Sequence, residues 1–159
     1  MNLAPETRIN KKAIKAWKIT ASIYGLVWFI APAIVIFVAY MESFGSVIII
    51  SATVPAIILY IVTVFVFPPL RWKRWKYDLT ENEIDLQRGF IIQKRTIVPI
   101  NRIQHVDTSQ GPIYRKLGLS SVKVSTAATT HEIPALDDET AMEVRNKISQ
   151  LVRKVREDV

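Results

Sequence analysis

The sequence contains no cysteine, only two histidines, and a single charged side chain, Glu42, between residues 19 and 70. Without cysteine there is neither a disulfide nor a thiolate metal site. His105 and His131 alone give no ligand cluster at metal-binding spacing. No glycine-rich phosphate loop and no nucleophile elbow occurs. His105, Asp107 and Ser109 fall within one five-residue stretch, whereas a catalytic triad needs its base between nucleophile and acid in space. The expectation is a protein that is not an enzyme and carries no cofactor.

The near-absence of charge over residues 19–70 is the strongest positive signal. Ile19–Met41 is an uncharged run of 23 residues, about 34 Å as a helix, enough to cross a hydrocarbon core of about 30 Å. After Glu42-Ser43-Phe44-Gly45-Ser46, Val47–Leu70 is again uncharged and ends at Pro68-Pro69. Two spans joined by so short a break predict an antiparallel transmembrane hairpin. Pro32 and Pro55 are tolerable in lipid, where neighbouring helices repack around a kink. Ala31-Pro32-Ala33 superficially suits a signal peptidase, but the apolar residues continue beyond it. Neither span carries an ionisable side chain, which argues against a transport pathway built from this chain alone; the hairpin reads as an anchor.

The net charge of +7 is unevenly spread. Residues 1–18 carry +4, residues 19–70 carry −1, residues 71–76 carry +4, and residues 77–159 balance to zero. A nucleic-acid binder concentrates its basic patch on the folded domain. Here the excess flanks the apolar runs, which excludes nucleic acid as the partner and, by the positive-inside rule, places both termini in the cytoplasm. Residues 1–18 are expected to form a basic segment, either an amphipathic lead-in through Ala13, Ile14, Ala16 and Trp17 or a frayed tail. Residues 71–76 form a basic-aromatic hinge. Arg71, Lys73, Arg74 and Lys76 are candidate contacts to anionic lipid, and Trp17, Trp72, Trp75 and Tyr77 are candidate interfacial anchors.

From Trp75 onward the pattern is that of a small cytoplasmic domain, residues 77–159. Trp75–Leu79 and Ile84–Gln87 alternate with period two, Thr80–Glu83 and Arg88-Gly89 supply turns, and Phe90–Val98 is a long β-prone run stopped by Pro99. Ile100–Val106 reads as a further strand. Pro112–Leu117 closed by Gly118 reads as a short helix. Leu119–Ala127 alternates again, and His131-Glu132-Ile133 returns before Pro134. Asp137 can cap a final helix whose apolar stripe is Ala141, Val144, Ile148, Leu151 and Val155. Glu143, Arg145, Lys147, Lys154 and Arg156 lie on its opposite face. The fold class is therefore α+β: an N-terminal two-helix transmembrane hairpin, then an antiparallel β-barrel or sandwich capped by an amphipathic helix.

Several stretches together resemble the bacterial PH-like domains attached to membrane hairpins, the YdbS-like group. They are Trp75–Thr80, Ile84–Gly89 and Val98-Pro99-Ile100-Asn101-Arg102-Ile103-Gln104-His105-Val106-Asp107, continued by Gly111-Pro112, Arg115, Gly118-Leu119, Val124–Ala127 and Ile133-Pro134. The resemblance covers nearly the whole chain and implies a seven-stranded PH-like barrel capped by the C-terminal helix. Within its motif, Arg102, Gln104 and Arg115 are the candidate partner surface; the alternative role for Arg102 and Gln104 is to satisfy backbone groups where the strand leaves the sheet. PH domains that hold phosphoinositides generally use basic residues around the first hairpin loop. The corresponding loop expected here, Thr80-Glu81-Asn82-Glu83, is acidic. The expected function is a non-enzymatic interaction module of the bacterial cytoplasmic membrane, working with other PH-like membrane proteins or with itself. The alternatives are a sensor of anionic membrane lipids at the inner leaflet and an envelope-protection factor.

Overall fold

The computed structural model describes residues 5–42, 45–89 and 92–157. The chain divides into two units: residues 17–69, and residues 1–16 together with 70–159.

The first unit is helical. One run extends through α1 (Lys12–Gly25), a 3-10 turn (Leu26–Phe29) and α2 (Ile30–Glu42); the other through α3 (Ser46–Ile61), a π turn (Val62–Val66) and α4 (Phe67–Arg74). The irregular turns sit where the prolines dictate. Pro32 cannot donate to a carbonyl one turn back, and the segment before it tightens to 3-10; the π turn likewise precedes Pro68-Pro69. In that turn Thr63 Oγ1 donates to the carbonyls of Leu59 (2.8 Å) and Tyr60 (3.0 Å). The helices meet where Gly25 faces the Tyr60 ring, and Phe29 packs on Tyr60 with centroids 5.5 Å apart. Little else on them is buried: Leu26, Phe37, Tyr40, Val47, Ile50 and Phe65 all stay exposed. Both runs, 31 and 29 residues, are long and apolar enough to cross a membrane. Beyond Pro68-Pro69, where the uncharged run ends, the helix continues to Arg74 and leaves only Trp75 before the first long strand. Proline at the start of a helical turn costs little. Of the expected break, Ser43 and Phe44 lie outside the described residues.

The second unit contains two antiparallel sheets. β1 (Thr7–Arg8), β2 (Lys76–Leu79), β3 (Glu83–Arg88) and β4 (Lys94–Pro99) form one, in that order. β5 (Ile103–Ser109), β6 (Leu119–Thr126) and β7 (Thr130–Asp137) form the other. The short helix α5 (Pro112–Leu117) joins β5 to β6, ending at Gly118 with φ 64°. The terminal helix α6 (Asp138–Glu157) packs on the β5–β7 sheet. Alternation buries Ile84, Leu86, Val98, Val122, Val124 and Ile133 between the layers, and α6 adds Ala141 and Ile148 from its apolar stripe. The arrangement is a PH-like sandwich of two separate sheets rather than a closed barrel.

The seventh strand comes from an unexpected place. Residues 5–10 are neither a surface lead-in nor a frayed tail: Thr7 and Arg8 pair with Tyr77 and Lys76, and Pro5 and Ile9 are buried. The helical hairpin is thus an insertion between two neighbouring strands of one sheet. Trp72 Nε1 donates to the Ile9 carbonyl (3.0 Å), the Arg8 guanidinium lies 5.4 Å from the Trp72 ring centroid, and the Asn10 amide donates to the Ala135 carbonyl (3.0 Å).

Three further expectations change. Ile100–Arg102 is a 3-10 turn rather than part of a strand; the Ile100 amide donates to the Asn82 carbonyl (2.9 Å), and the chain crosses here from one sheet to the other. β7 does not stop before Pro134. The register runs from Ser120↔Leu136 to Val122↔Ile133, so a bulge absorbs Pro134 and turns Ala135 to φ 52°. Asp137, which immediately precedes α6, has its carboxylate engaged elsewhere: it accepts from Asn10 Nδ2 and lies 3.7 Å from Lys12 Nζ. Asp138 sits at the helix start, accepting from Ser120 Oγ (2.7 Å) and Gln110 Nε2 (2.9 Å). Of the predicted strand Phe90–Val98, Phe90 and Ile91 lie outside the described residues, as does the Arg156 side chain on α6.

Candidate functional site

The crossing from β4 to β5 opens a cleft of about 540 Å³ against the β6–β7 turn, within the size range of small-ligand and anchor pockets. Ile97, Pro99 and Ile103 supply apolar wall; Arg102, Gln104 and His131 supply the polar groups. Each is placed by its element. The 3-10 turn projects Arg102 into solvent beside the cleft, and Gln104 follows on the irregular first residues of β5. His131 alternates with Ile133 and Ala135 along β7, so its ring turns inward with theirs and is 8% exposed. Its Nδ1 is buried without a hydrogen-bond partner. A buried polar atom left so costs free energy that an incoming group can recover. Among the described residues, no carboxylate lines the cleft.

Burial lowers the His131 pKa from its ordinary value, and the charges of Arg88 and Lys94 lower it further. The folded domain therefore holds His131 neutral where the unfolded chain, at about 6.5, begins to bind a proton. Across that window the unfolded state binds more protons, so stability rises with pH and falls as pH drops from about 6.5 towards the lowered folded value. Thermal melts of the detergent-solubilised chain are expected to show this slope, and His131→Gln to flatten it. An unchanged slope in the variant would assign the pH dependence elsewhere.

The other candidate residues are distributed differently. Arg102 and Gln104 come together at the cleft, but Arg115 lies on α5 and does not line it. Arg71, Lys73 and Arg74 are exposed on the last turn of α4, and Lys76 is half-buried on β2. The aromatics expected as interfacial anchors are placed within the fold to different degrees, with Trp72 half-buried. Trp75 and Tyr77 are buried in the sandwich, where burial also raises the Tyr77 pKa; Trp17 is buried too, and the Trp72 indole N–H is taken by the Ile9 carbonyl. Tyr77 on β2 and Trp75, just before the strand and two residues away, are both buried, and a ring in a protein core is not available to headgroups. Among the described residues there is no cluster of three or more His, Asp or Glu side chains able to hold a metal ion. His105, Asp107 and Ser109 share the outer face of β5.

His131 is the residue that sequence reasoning missed. The available signal was its period-two spacing from Ile133, which places a histidine on an inward face.

A two-sheet sandwich with a terminal helix, joined to two apolar helices, defines a PH-like module of a membrane-associated protein. The chain belongs to the bacterial PH domain family, whose match spans residues 14–152. It is 42% identical, over the whole of both chains, to the UPF0699 transmembrane protein YdbS of Bacillus subtilis (strain 168). It is also 26% identical over 85 residues to the UPF0699 transmembrane protein YdbT of the same organism, a match covering 54% of this chain and 17% of that protein. No solved structure matches the chain.

Proposed function

We propose that this chain is a non-enzymatic binding module of the bacterial cytoplasmic membrane, holding its PH-like domain on the cytoplasmic side and using the β4–β5 cleft as its contact surface within a membrane protein assembly. The cleft carries the reading: an apolar floor, hydrogen-bonding groups at its rim, an unpartnered buried imidazole, and no carboxylate among the described residues. That combination suits a protruding side chain or chain end bearing an acceptor or a negative charge.

The multi-pass topology has its own support. β1 precedes the first apolar helix and β2 follows the second, yet the two strands pair in one sheet. A sheet cannot be divided by a bilayer, so both ends of the hairpin belong on one side. The positive charge at residues 8–18 and 71–76 supports the cytoplasm as that side. The exposed Arg71, Lys73 and Arg74 favour anionic lipid as a secondary contact.

The test is cross-linking and affinity capture of the full chain from intact membranes, with Arg102→Ala and Arg115→Ala variants in parallel. A partner retained by Arg115→Ala and reduced about tenfold or more by Arg102→Ala is the expected result, as for an anchoring arginine. Equal capture by all three chains would remove the cleft from the contact surface. No capture by any chain would shift the reading to lipid, which vesicle binding then addresses.

A further inference from the structure

β5 ends its sheet, and no further strand pairs with it among the described residues. α6 packs on this sheet and reaches β5, yet the middle of the strand keeps exposed positions on both faces. His105 and Asp107, on the outer face with Lys123, are exposed; so is Thr108, which shares the inner face with Val122, while Val106 is half-exposed. One edge of the other sheet, β4, is guarded in the usual way by Lys94, Arg95 and Pro99, whereas β5 carries no lysine, arginine or proline.

We propose that this edge pairs with β5 of a second copy of the chain, antiparallel about a two-fold axis through Val106, joining two three-stranded sheets into one of six. The side chains select both partner and register. In an antiparallel pair, directly opposed residues must share a face. The axis can therefore pass through His105, Val106 or Asp107, but not between residues. An axis through Asp107 sets two carboxylates against each other, and one through His105 opposes two imidazoles. The axis through Val106 opposes each His105 with the second copy's Asp107, twice by symmetry, with valine against valine and Gln104 against Thr108. Directly opposed complementary pairs stabilise a sheet and like charges disfavour it. Such an isologous contact closes at a dimer. It also gives an imidazole and a carboxylate that are idle within one chain a role between two. This inference is independent of the reading of the cleft, and Arg102→Ala is expected to leave the pairing intact.

The absence of cysteine makes the test direct. Full-length chain carrying Val106→Cys is oxidised in native membranes. Opposed Cα atoms lie about 4.5–5.5 Å apart in an antiparallel pair, within disulfide reach, so a disulfide-linked homodimer is expected. Thr108→Cys serves as the control. Its two copies would sit about four residues apart along the edge, roughly 14 Å, beyond reach, and no dimer is expected. Adding His105→Asp to the Val106→Cys chain sets carboxylate against carboxylate and is expected to cut the dimer yield about tenfold; adding Asp107→His as well exchanges the pair and is expected to restore it. No dimer at Val106, equal yields at positions 106 and 108, or failure of the exchange to restore the yield would each overturn the proposal.

Discussion

A chain whose residues 17–69 are replaced by a short flexible linker is expected to fold as a soluble domain, while residues 77–159 alone are expected to fail. β1 and β2 are antiparallel neighbours, Arg8 opposite Lys76, and a loop between adjacent strands can be long, short or foreign at little cost in closure entropy. A chain beginning at Tyr77 loses far more than a tail. It lacks Trp75, the pairing of β2 with β1, the buried Pro5 and Ile9, and the Asn10 bond that occupies the turned Ala135 carbonyl. Truncating a buried isoleucine costs about 2–5 kcal/mol and a buried tryptophan about 3–5 kcal/mol. Together these approach the whole stability of an ordinary domain, about 5–15 kcal/mol. Circular dichroism melts decide it: a cooperative transition in the linked chain, and none in residues 77–159. Ile9→Asp in the linked chain should abolish the transition, because a charge would then replace an apolar contact in the core. A cooperative, equally stable fold of residues 77–159 would reduce the N-terminal strand to an ornament.

The elements with strong periodicity could be read from the sequence. Residues 141–155 fix the covered face of α6, the alternation Leu119–Val124 gives β6, and Gly118 marks the end of α5. The two membrane-length helices follow from absent charge alone. β1 was not legible for a physical reason. Two residues, Thr7 and Arg8, both exposed and flanked by Glu6 and Ile9, are too short to carry an alternation, and their partners lie across the whole hairpin. Without β1 the hairpin looked like a leader to the domain, and residues 80–83 looked like its first strand connection. In the folded chain that position belongs to the apolar helical hairpin itself.

The candidate site was half legible. Arg102 and Gln104 drew attention together and they share a cleft, whereas Arg115 drew the same attention and lies elsewhere. Sequence proximity cannot separate the two cases, because the 3-10 turn at Ile100–Arg102 decides which side chains face the opening. The aromatics after the second span show a second kind of ambiguity. A Trp or Tyr next to cations satisfies the rule for a headgroup anchor, and the same ring at alternate positions satisfies the rule for a strand core. Trp75 and Tyr77 are buried, as the second rule requires, and a sandwich of this size has few large side chains to spare.

Gly89→Ala is expected to be among the most damaging single substitutions on the domain surface. Gly89 closes β3 at φ 128°, a conformation that L side chains avoid, and an added Cβ would overlap the backbone carbonyl of Ile92. A strained conformation of this kind costs about 1–3 kcal/mol by itself. The overlap is with backbone, so it cannot be relieved by turning a flexible side chain. The remaining escape is to alter the hairpin, and there the cost spreads. The register set at Arg88↔Lys94 continues through Gln87↔Arg95 to Ile84↔Val98; a slip of one residue would turn Val98 from core to solvent. It would also separate Asp85, whose carboxylate is buried, from the Arg95 guanidinium that donates to it through Nε at 2.8 Å. Because β4 ends in Ile97, Val98 and Pro99 at the cleft wall, the same slip would deform the contact surface more than 20 Å of chain away from the mutated residue, at about 3.4 Å per residue. Gly118→Ala is the matched control. Its φ is 64°, but nothing lies within 4 Å of the added Cβ, so only the left-handed conformation is charged, about 1–2 kcal/mol. Melts of the two variants should therefore separate clearly, Gly89→Ala lying well below Gly118→Ala, with capture through the cleft lost only in the former. Equal losses would mean that backbone conformation alone matters at both turns and that the hairpin tip accommodates a side chain without disturbing β4.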